Sequence, residues 1–124
     1  MKINESSENY LESILMLKKK NGSVRSIDIA HELSFTKPSV SVAMKNLRND
    51  NYIEIDSNGF ISLTDKGLEI ADRIYERHQV IAKALIMLGV SEETAYHDSC
   101  KIEHDISIES FEKIKEHLKK RENN

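Results

Sequence analysis

The fold is decided by the stretch SIDIAHELSFTKPSVSVAMKNLRN, which spans residues 26–49. Apolar side chains in its first part, residues 26–33, recur at helical spacing and predict a short helix. The following Ser34-Phe35-Thr36-Lys37 has the composition of a turn, and Pro38 suits the first position of a new helix. From Ser39 onward, apolar residues again fall on one helical face over about three turns. Two short helices joined by a tight turn predict a helix-turn-helix, whose second helix can enter the major groove of DNA.

A two-stranded hairpin is expected immediately after this motif. Residues 52–56 and 60–64 both alternate between apolar and polar side chains, and Ser57-Asn58-Gly59 between them is a hairpin-turn sequence. A wing of two strands that follows a helix-turn-helix predicts a winged helix. The alternative is a small helical domain with an incidental hairpin.

Most of the remaining chain is predicted to be helical. Apolar periodicity indicates helices at residues 9–20, with Ser6 or Ser7 as cap, and at residues 64–88, 91–105 and 107–120. We therefore expect a mainly α protein, with an N-terminal winged helix-turn-helix DNA-binding domain at residues 1–66 and an all-helical domain at residues 67–124. The helices after the wing show an apolar face that a second copy of the chain would cover, so we expect a homodimer.

The composition predicts a soluble globular protein with a helical bias. The chain has 124 residues, a net charge of -3 and a single cysteine, and its longest strongly apolar run is too short to span a bilayer. The amino terminus lacks the apolar segment of a signal peptide, which predicts a cytoplasmic protein with a reduced thiol. The negative total does not exclude DNA, because residues 33–49 contain three cations and no acid.

The run Cys100-Lys101-Ile102-Glu103-His104 is a candidate metal half-site. On a helix, Cys100, Glu103 and His104 share one face. Sulfur, oxygen and nitrogen donors together suit a first-row divalent ion better than calcium or magnesium, which prefer oxygen ligands. The alternative is a buried structural cysteine beside an exposed Glu-His pair. His78 in the long helix, and Asn9 and Glu12 in the first helix, are further polar groups that can converge on this face.

At this point the sequence resembles the metal-dependent repressors of the diphtheria-toxin-repressor and manganese-transport-regulator family. The resemblance covers essentially the whole chain. Its motifs are Asn9-Tyr10-Leu11-Glu12, Asp28-Ile29-Ala30, Pro38-Ser39-Val40-Ser41, Leu63-Thr64-Asp65-Lys66-Gly67, Arg77-His78 and Cys100-Lys101-Ile102-Glu103-His104. It implies that the helical domain binds metal and dimerises, and that the chain is the short, two-domain form without an SH3-like domain.

The resemblance also implies a set of ligands. Cys100, Glu103 and His104 match the family's metal-binding run, with cysteine as in the iron-responsive branch and a carboxylate in the manganese-responsive branch. His78 matches a ligand of both branches, and Glu12 matches a carboxylate ligand of the manganese branch. Two positions depart from the pattern. Asn9 replaces the aspartate or methionine of the two branches, and Ala82 replaces a glutamate that belongs to an ancillary metal site in the iron branch. His97 can take over part of this ancillary site.

On the DNA side, the helix-turn-helix predicts which residues contact the operator. The predicted contacts are Thr36, Lys37, Ser39, Ser41, Val42, Lys45 and Arg48. The cations would supply salt-dependent phosphate binding, and the hydroxyl groups would reach base edges. Val42 stands where the founder of the iron branch has glutamine, so a contact there would be apolar, for example to a thymine methyl group.

We therefore predict a metal-responsive repressor in which a divalent ion promotes operator binding, and not an enzyme. The thiolate favours Fe(II), whereas Glu12 favours Mn(II), which is the second candidate. Two other functions stay open at this point: a metal-independent winged-helix regulator in which Cys100 senses oxidants, and a small metalloenzyme, for which no nucleophile-base pair is present.

Overall fold

The computed structural model describes residues 4–122 of the chain. Within these residues it contains six helices and one two-stranded sheet, which confirms the predicted mainly α winged helix. The elements are α1 Glu5–Asn21, α2 Ser26–Leu33, α3 Lys37–Asn49, β1 Ile53–Ile55, β2 Ile61–Leu63, α4 Asp65–Met87, α5 Glu92–Asp105 and α6 Ile108–Glu122. The chain forms two compact units, one up to Asp72 and the other from Arg73 onward. The division falls inside α4, whereas the predicted domain boundary at 66/67 marks the start of that helix.

Helix α1 begins four residues earlier than predicted, because a different residue caps it. The Asn4 side chain accepts a hydrogen bond from the Ser7 backbone N–H at 2.8 Å, so Ser6 and Ser7 lie inside the helix. The end is as predicted: Gly22 adopts a left-handed conformation (φ 84°) and its N–H donates to the Lys18 carbonyl at 2.8 Å.

The helix-turn-helix follows its predicted boundaries closely. Helix α2 has the bounds that its periodicity predicts, and Ser34 turns the chain with φ 58°. Thr36 caps α3 by accepting a hydrogen bond from the Ser39 N–H at 3.3 Å, which places Pro38 in the first turn, where its missing N–H costs no hydrogen bond. The inner faces of α1, α2 and α3 are buried: Leu11, Ile14, Ile29, Ala30, Val40, Met44 and Leu47.

The wing is an antiparallel pair of three-residue strands, with Ile53 opposite Leu63 and Ile55 opposite Ile61. The strands are shorter than predicted because the Asp56 carboxylate closes the turn, accepting hydrogen bonds from the N–H groups of Asn58 (2.8 Å) and Phe60 (3.0 Å). The Ile61 N–H donates to the Val24 carbonyl at 2.8 Å, which ties the wing to the segment before α2.

Gly67 is required where the wing meets α4. A Cβ atom at this position would overlap the carbonyl oxygen of Tyr52, which also accepts a hydrogen bond from the Thr64 N–H at 3.1 Å. Thr64 caps the helix in turn, because its Oγ1 accepts a hydrogen bond from the Gly67 N–H at 3.2 Å. The start of α4 is therefore fixed within the first unit.

In the second unit, α4 continues from Arg73 and is followed by α5 and α6. Its buried apolar side chains are Ile74, Ile81, Ala82, Ala95, Phe111 and Leu118. Ala82 is fully buried, so its side chain packs in the core of this unit. Several apolar side chains near the end of α4 stay exposed, among them Met87 at 47% and Leu88 at 82%. No helix in the described part of the chain has the length and apolarity to cross a membrane.

Candidate metal centre

The candidate metal centre in the second unit is built on two helices. His78 lies in the middle of α4, and the side chains of Cys100, Glu103 and His104 lie on the last turns of α5. Since residues 92–105 are helical, Cys100, Glu103 and His104 share one face, as their spacing predicts.

The four side chains form a connected series of contacts. Cys100 Sγ lies 3.3 Å from His78 Nε2 and 4.0 Å from His78 Nδ1. The Glu103 carboxylate lies between the two histidines: its Oε2 is 3.8 Å from His78 Nδ1, and its Oε1 is 3.4 Å from His104 Nε2. The structure therefore brings together the donors that the sequence predicts: one sulfur, one carboxylate and two imidazoles.

The residues that are buried in this cluster are not those that the structural alternative predicts. Cys100 is exposed, whereas the side chains of Glu103 and His104 are 0% and 2% exposed. The alternative interpretation, a buried cysteine beside an exposed Glu-His pair, is thus wrong. A fully buried carboxylate is costly unless ionic or hydrogen-bonding partners compensate it, and here two imidazole rings lie within 4 Å.

The contacts around His78 include two residues that the sequence did not single out. His78 Nε2 lies 3.2 Å from the Tyr96 carbonyl oxygen, and the two rings meet edge to face at 5.7 Å between centroids. Ser99 Oγ donates to the same carbonyl at 2.9 Å. A metal-binding histidine commonly donates its second ring N–H to such a carbonyl, which fixes the orientation of the ring. The only hint in the sequence was that Tyr96 and Ser99 lie one turn before Cys100 and Glu103.

The pairwise distances from His78 to its neighbours fit ligation of a divalent transition metal. Bonds from such an ion to nitrogen, oxygen and sulfur are about 2.0–2.3 Å long, so two atoms on one ion lie about 3–4 Å apart. The distances from His78 Nδ1 to Glu103 Oε2 (3.8 Å) and to Cys100 Sγ (4.0 Å) fall in this range. The mixed sulfur, nitrogen and oxygen set excludes a dedicated calcium or magnesium site.

Asn9, Glu12 and His97 are the remaining predicted ligands. Glu12 is buried and Asn9 half-buried, both on α1 of the first unit. The side chain of His97 is 68% exposed, with Nδ1 3.4 Å from Asp98 Oδ1. Within residues 4–122, no group of three ligating atoms that all lie within 4.8 Å of one another includes His97, Cys100 or His104.

The predicted DNA-contacting residues are exposed in the first unit. Thr36 and the α3 side chains Lys37, Ser39, Ser41, Val42, Lys45 and Arg48 are all exposed. Val42 is 61% exposed, so its side chain is accessible to a partner. Thr36 Oγ1 also donates to Ser39 Oγ at 2.8 Å, so the two hydroxyl groups are ordered at the start of α3.

A winged helix-turn-helix followed by helices that carry a sulfur, nitrogen and oxygen donor cluster defines the class of metal-binding transcriptional regulators. Comparison with known proteins agrees. Residues 2–59 match the family model described as iron dependent repressor, N-terminal DNA binding domain, and residues 64–124 match the one described as iron dependent repressor, metal binding and dimerisation domain.

The chain belongs to this family of metal-dependent transcriptional repressors. The HTH-type transcriptional regulator MntR of Geobacillus thermodenitrificans is 36% identical over 109 residues, which cover 88% of this chain and 77% of the relative. An HTH-type transcriptional regulator of Methanocaldococcus jannaschii is 33% identical over 120 residues, with 95% and 96% of the two chains covered. As the sequence predicts, the protein is therefore a regulator and not an enzyme.

Two solved structures extend the comparison to the fold. The manganese regulator SloR has a TM-score of 0.80 at 26% identity, covering 96% of this chain and 55% of that one. IdeR of T. acidophilum has a TM-score of 0.80 at 25% identity, covering 95% of this chain and 55% of that one. The chain thus spans about half the length of these two solved proteins.

Proposed function

We propose that this protein is a repressor whose binding to operator DNA is promoted by Fe(II), and that it controls genes of metal homeostasis. The observation that carries the proposal is the contact between Cys100 Sγ and the His78 ring, 3.3 Å from Nε2, beside a carboxylate that is fully buried. A thiolate within a histidine and carboxylate set favours iron(II) over manganese(II), which prefers oxygen ligands. The descriptions of both matching family models also name iron.

His78, Cys100, Glu103 and His104 are the proposed ligands in the second unit. Glu12 and Asn9 on α1, and His97 on α5, stay predicted ligands that rest on the resemblance. Alanine substitution of each one tests these assignments separately. A bound ion supplies positive charge that compensates the Glu103 carboxylate and orders the side chains around it, and ligation requires that the Cys100 thiol lose its proton.

The exposed surface of α3, together with Thr36, is the proposed operator-binding surface. Lys37, Lys45 and Arg48 would bind phosphates, while Thr36, Ser39, Ser41 and Val42 would face base edges. We further propose that the protein acts in the cytoplasm as a homodimer, in which two copies of α3 read related half-sites. Its DNA-binding domain would comprise residues 1–66, and its metal-binding and dimerisation domain residues 67–124.

Metal and DNA binding are coupled in this proposal. If the ion stabilises the form that binds the operator, then operator DNA tightens metal binding by the same factor. Couplings of this kind typically amount to about 1–3 kcal/mol.

Mn(II) is the second candidate, and specific observations favour it. The Glu103 carboxylate and the His104 imidazole lie 3.4 Å apart and offer oxygen and nitrogen ligands without the thiol. SloR, which is 26% identical to this chain, is described as a manganese regulator. The identity of the ion is therefore the first property to measure.

A third candidate is a thiol sensor that acts without metal, because Cys100 is exposed. Substitution of Cys100 by serine separates the two functions. Loss of metal-dependent DNA binding under strictly reducing conditions supports ligation, whereas an effect that appears only with hydrogen peroxide supports the sensor.

The deciding experiment is a DNA-binding titration without oxygen. A binding fragment is first selected from random double-stranded DNA with a mixture of divalent ions present, and its affinity is then measured with Fe(II), Mn(II), Zn(II) or a chelator. We expect Fe(II) to give the largest gain in affinity. The variant Cys100→Asp, which supplies oxygen in place of sulfur, should move the preference toward Mn(II). An affinity that no ion changes would refute the proposed function.

A further inference from the structure

Arg77 lies next to the candidate ligand His78 on α4, and its guanidinium group contacts the backbone at the end of α5. Its Nη1 donates to the backbone carbonyl oxygens of Glu103 at 3.1 Å and of Ile106 at 3.2 Å. The guanidinium also lies over the Phe111 ring, 5.4 Å from its centroid. Arg77 therefore contacts both the end of α5 and the beginning of α6.

The end of α5 requires such a contact. The last carbonyl groups of a helix have no partner within the helix, and a glycine in left-handed conformation often supplies the missing hydrogen bonds. Here the residue after the helix is Ile106, which is extended (φ −82°, ψ 140°), and its N–H satisfies only the Ile102 carbonyl at 3.1 Å. Arg77 supplies the bond to the next carbonyl, that of Glu103, and places a positive charge at the negative end of the helix.

The same residue of α5 is thus held by α4 at two points. The Glu103 side chain lies 3.8 Å from the ring of His78, and the Glu103 carbonyl accepts a hydrogen bond from Arg77. Both Glu103 and His104 lie in the final turn, which is the part of a helix that frays first. Two consecutive residues of α4 therefore fix both the ligating side chain and the backbone that carries it.

We propose that Arg77 is a positioning residue of the metal centre: it holds the last turn of α5 so that Glu103 and His104 keep their ligating geometry, without contacting the ion. The inference rests on the proposed function, since it assumes that these side chains bind a metal. Residues that orient metal ligands typically contribute about 10- to 100-fold to metal affinity. Because Arg77 acts through the backbone, we expect the variant Arg77→Ala to lose about tenfold, the low end of that range.

The test uses the full chain and begins without metal. Arg77→Ala should accelerate hydrogen exchange of the Ile106 amide, whose bond to Ile102 closes the last turn, and leave the Ala95 amide at the start of α5 unchanged. Co(II) is then titrated as the probe, and both the affinity and the visible spectrum, which reports coordination, are compared with the wild type. Arg77→Lys retains the charge and one donor group, and should restore part of both the exchange protection and the affinity.

Lys115→Ala is the matched control. Lys115 also bridges two helices of this unit, since its Nζ lies 3.0 Å from Glu76 Oε1, and this hydrogen bond raises the pKa of the lysine. It joins α6 to α4, so its removal should leave Co(II) affinity and the Ile106 amide unchanged. If Arg77→Ala does not fold, as judged by circular dichroism, Arg77→Gln replaces it with the same expectations.

The outcomes separate this inference from the proposed function. A wild-type chain that binds no ion refutes the proposed function. A wild-type chain that binds Co(II), together with an Arg77 variant that binds it equally well and shows unchanged Ile106 exchange, refutes the positioning role alone.

Discussion

Replacing Glu103 by glutamine should stabilise the protein without metal and destabilise it relative to the wild type with metal. The Glu103 side chain is completely buried, so the ionised carboxylate has given up its hydration. Its neighbours include the imidazoles of His78 at 3.8 Å and His104 at 3.4 Å, which offer no positive charge while they are neutral. Glutamine keeps the shape and can still form hydrogen bonds, but it removes the buried charge and one ligand.

The expected magnitudes follow from this burial. Removing an ionised carboxylate from water costs several kcal/mol, and glutamine fills a similar volume without carrying that charge. We expect Glu103→Gln to raise the free energy of unfolding without metal by about 1–3 kcal/mol, because in the wild type the two imidazoles compensate part of the cost of the buried charge. With an ion present at about 1,000 times its dissociation constant, the wild type gains about 4.1 kcal/mol, which the variant should lose. The order of stability should therefore reverse between the two conditions.

The assay is urea unfolding at pH 8, monitored by circular dichroism. It is run once with chelator and once with saturating Mn(II) or Co(II). The chain concentration is held constant because the stability of a dimer depends on it. Glu116→Gln is the matched control: it is the same chemical change on the exposed face of α6, where the ion pairs to Lys113 and Lys120 are solvated and should contribute little. The reasoning fails if Glu103→Gln is clearly less stable than the wild type in chelator, or if added metal stabilises both proteins equally.

Three further predictions concern other parts of the molecule. Gly67→Ala should lower the free energy of unfolding by about 1–3 kcal/mol, because the new methyl group overlaps the Tyr52 carbonyl; unchanged urea unfolding would contradict the role of this contact. Leu88→Glu should weaken dimerisation by at least about tenfold, or roughly 1.4 kcal/mol, in sedimentation equilibrium, since it places a charge among the exposed apolar side chains at the end of α4; Lys83→Glu on the same helix is the control, and an unchanged dimer would locate the interface elsewhere. Lys45→Ala should weaken binding to all DNA sequences and reduce the salt dependence by about one phosphate contact, whereas Val42→Ala should change the preferred sequence at constant salt dependence; the opposite pattern would invert their assigned roles.

Much of the first unit was predictable because its determinants are local. The bounds of α2, the turn before α3 and the glycine that ends α1 depend on side-chain periodicity and on caps within a few residues, which the sequence displays directly. The start of α1 was misplaced because several residues there can cap a helix. Asn4 rather than Ser6 or Ser7 does so, and the local pattern does not distinguish among them.

The candidate metal centre was likewise predictable only where its determinants are local. The sequence alone determined that Cys100, Glu103 and His104 share one helical face, because helical geometry fixes the direction of residues three and four apart. Only the tertiary structure decided that His78 meets both Cys100 and Glu103, that the carboxylate rather than the cysteine is buried, and that Arg77 holds the backbone of the last turn. These contacts join residues more than 20 positions apart, and their distances depend on how two helices pack, which no local spacing encodes.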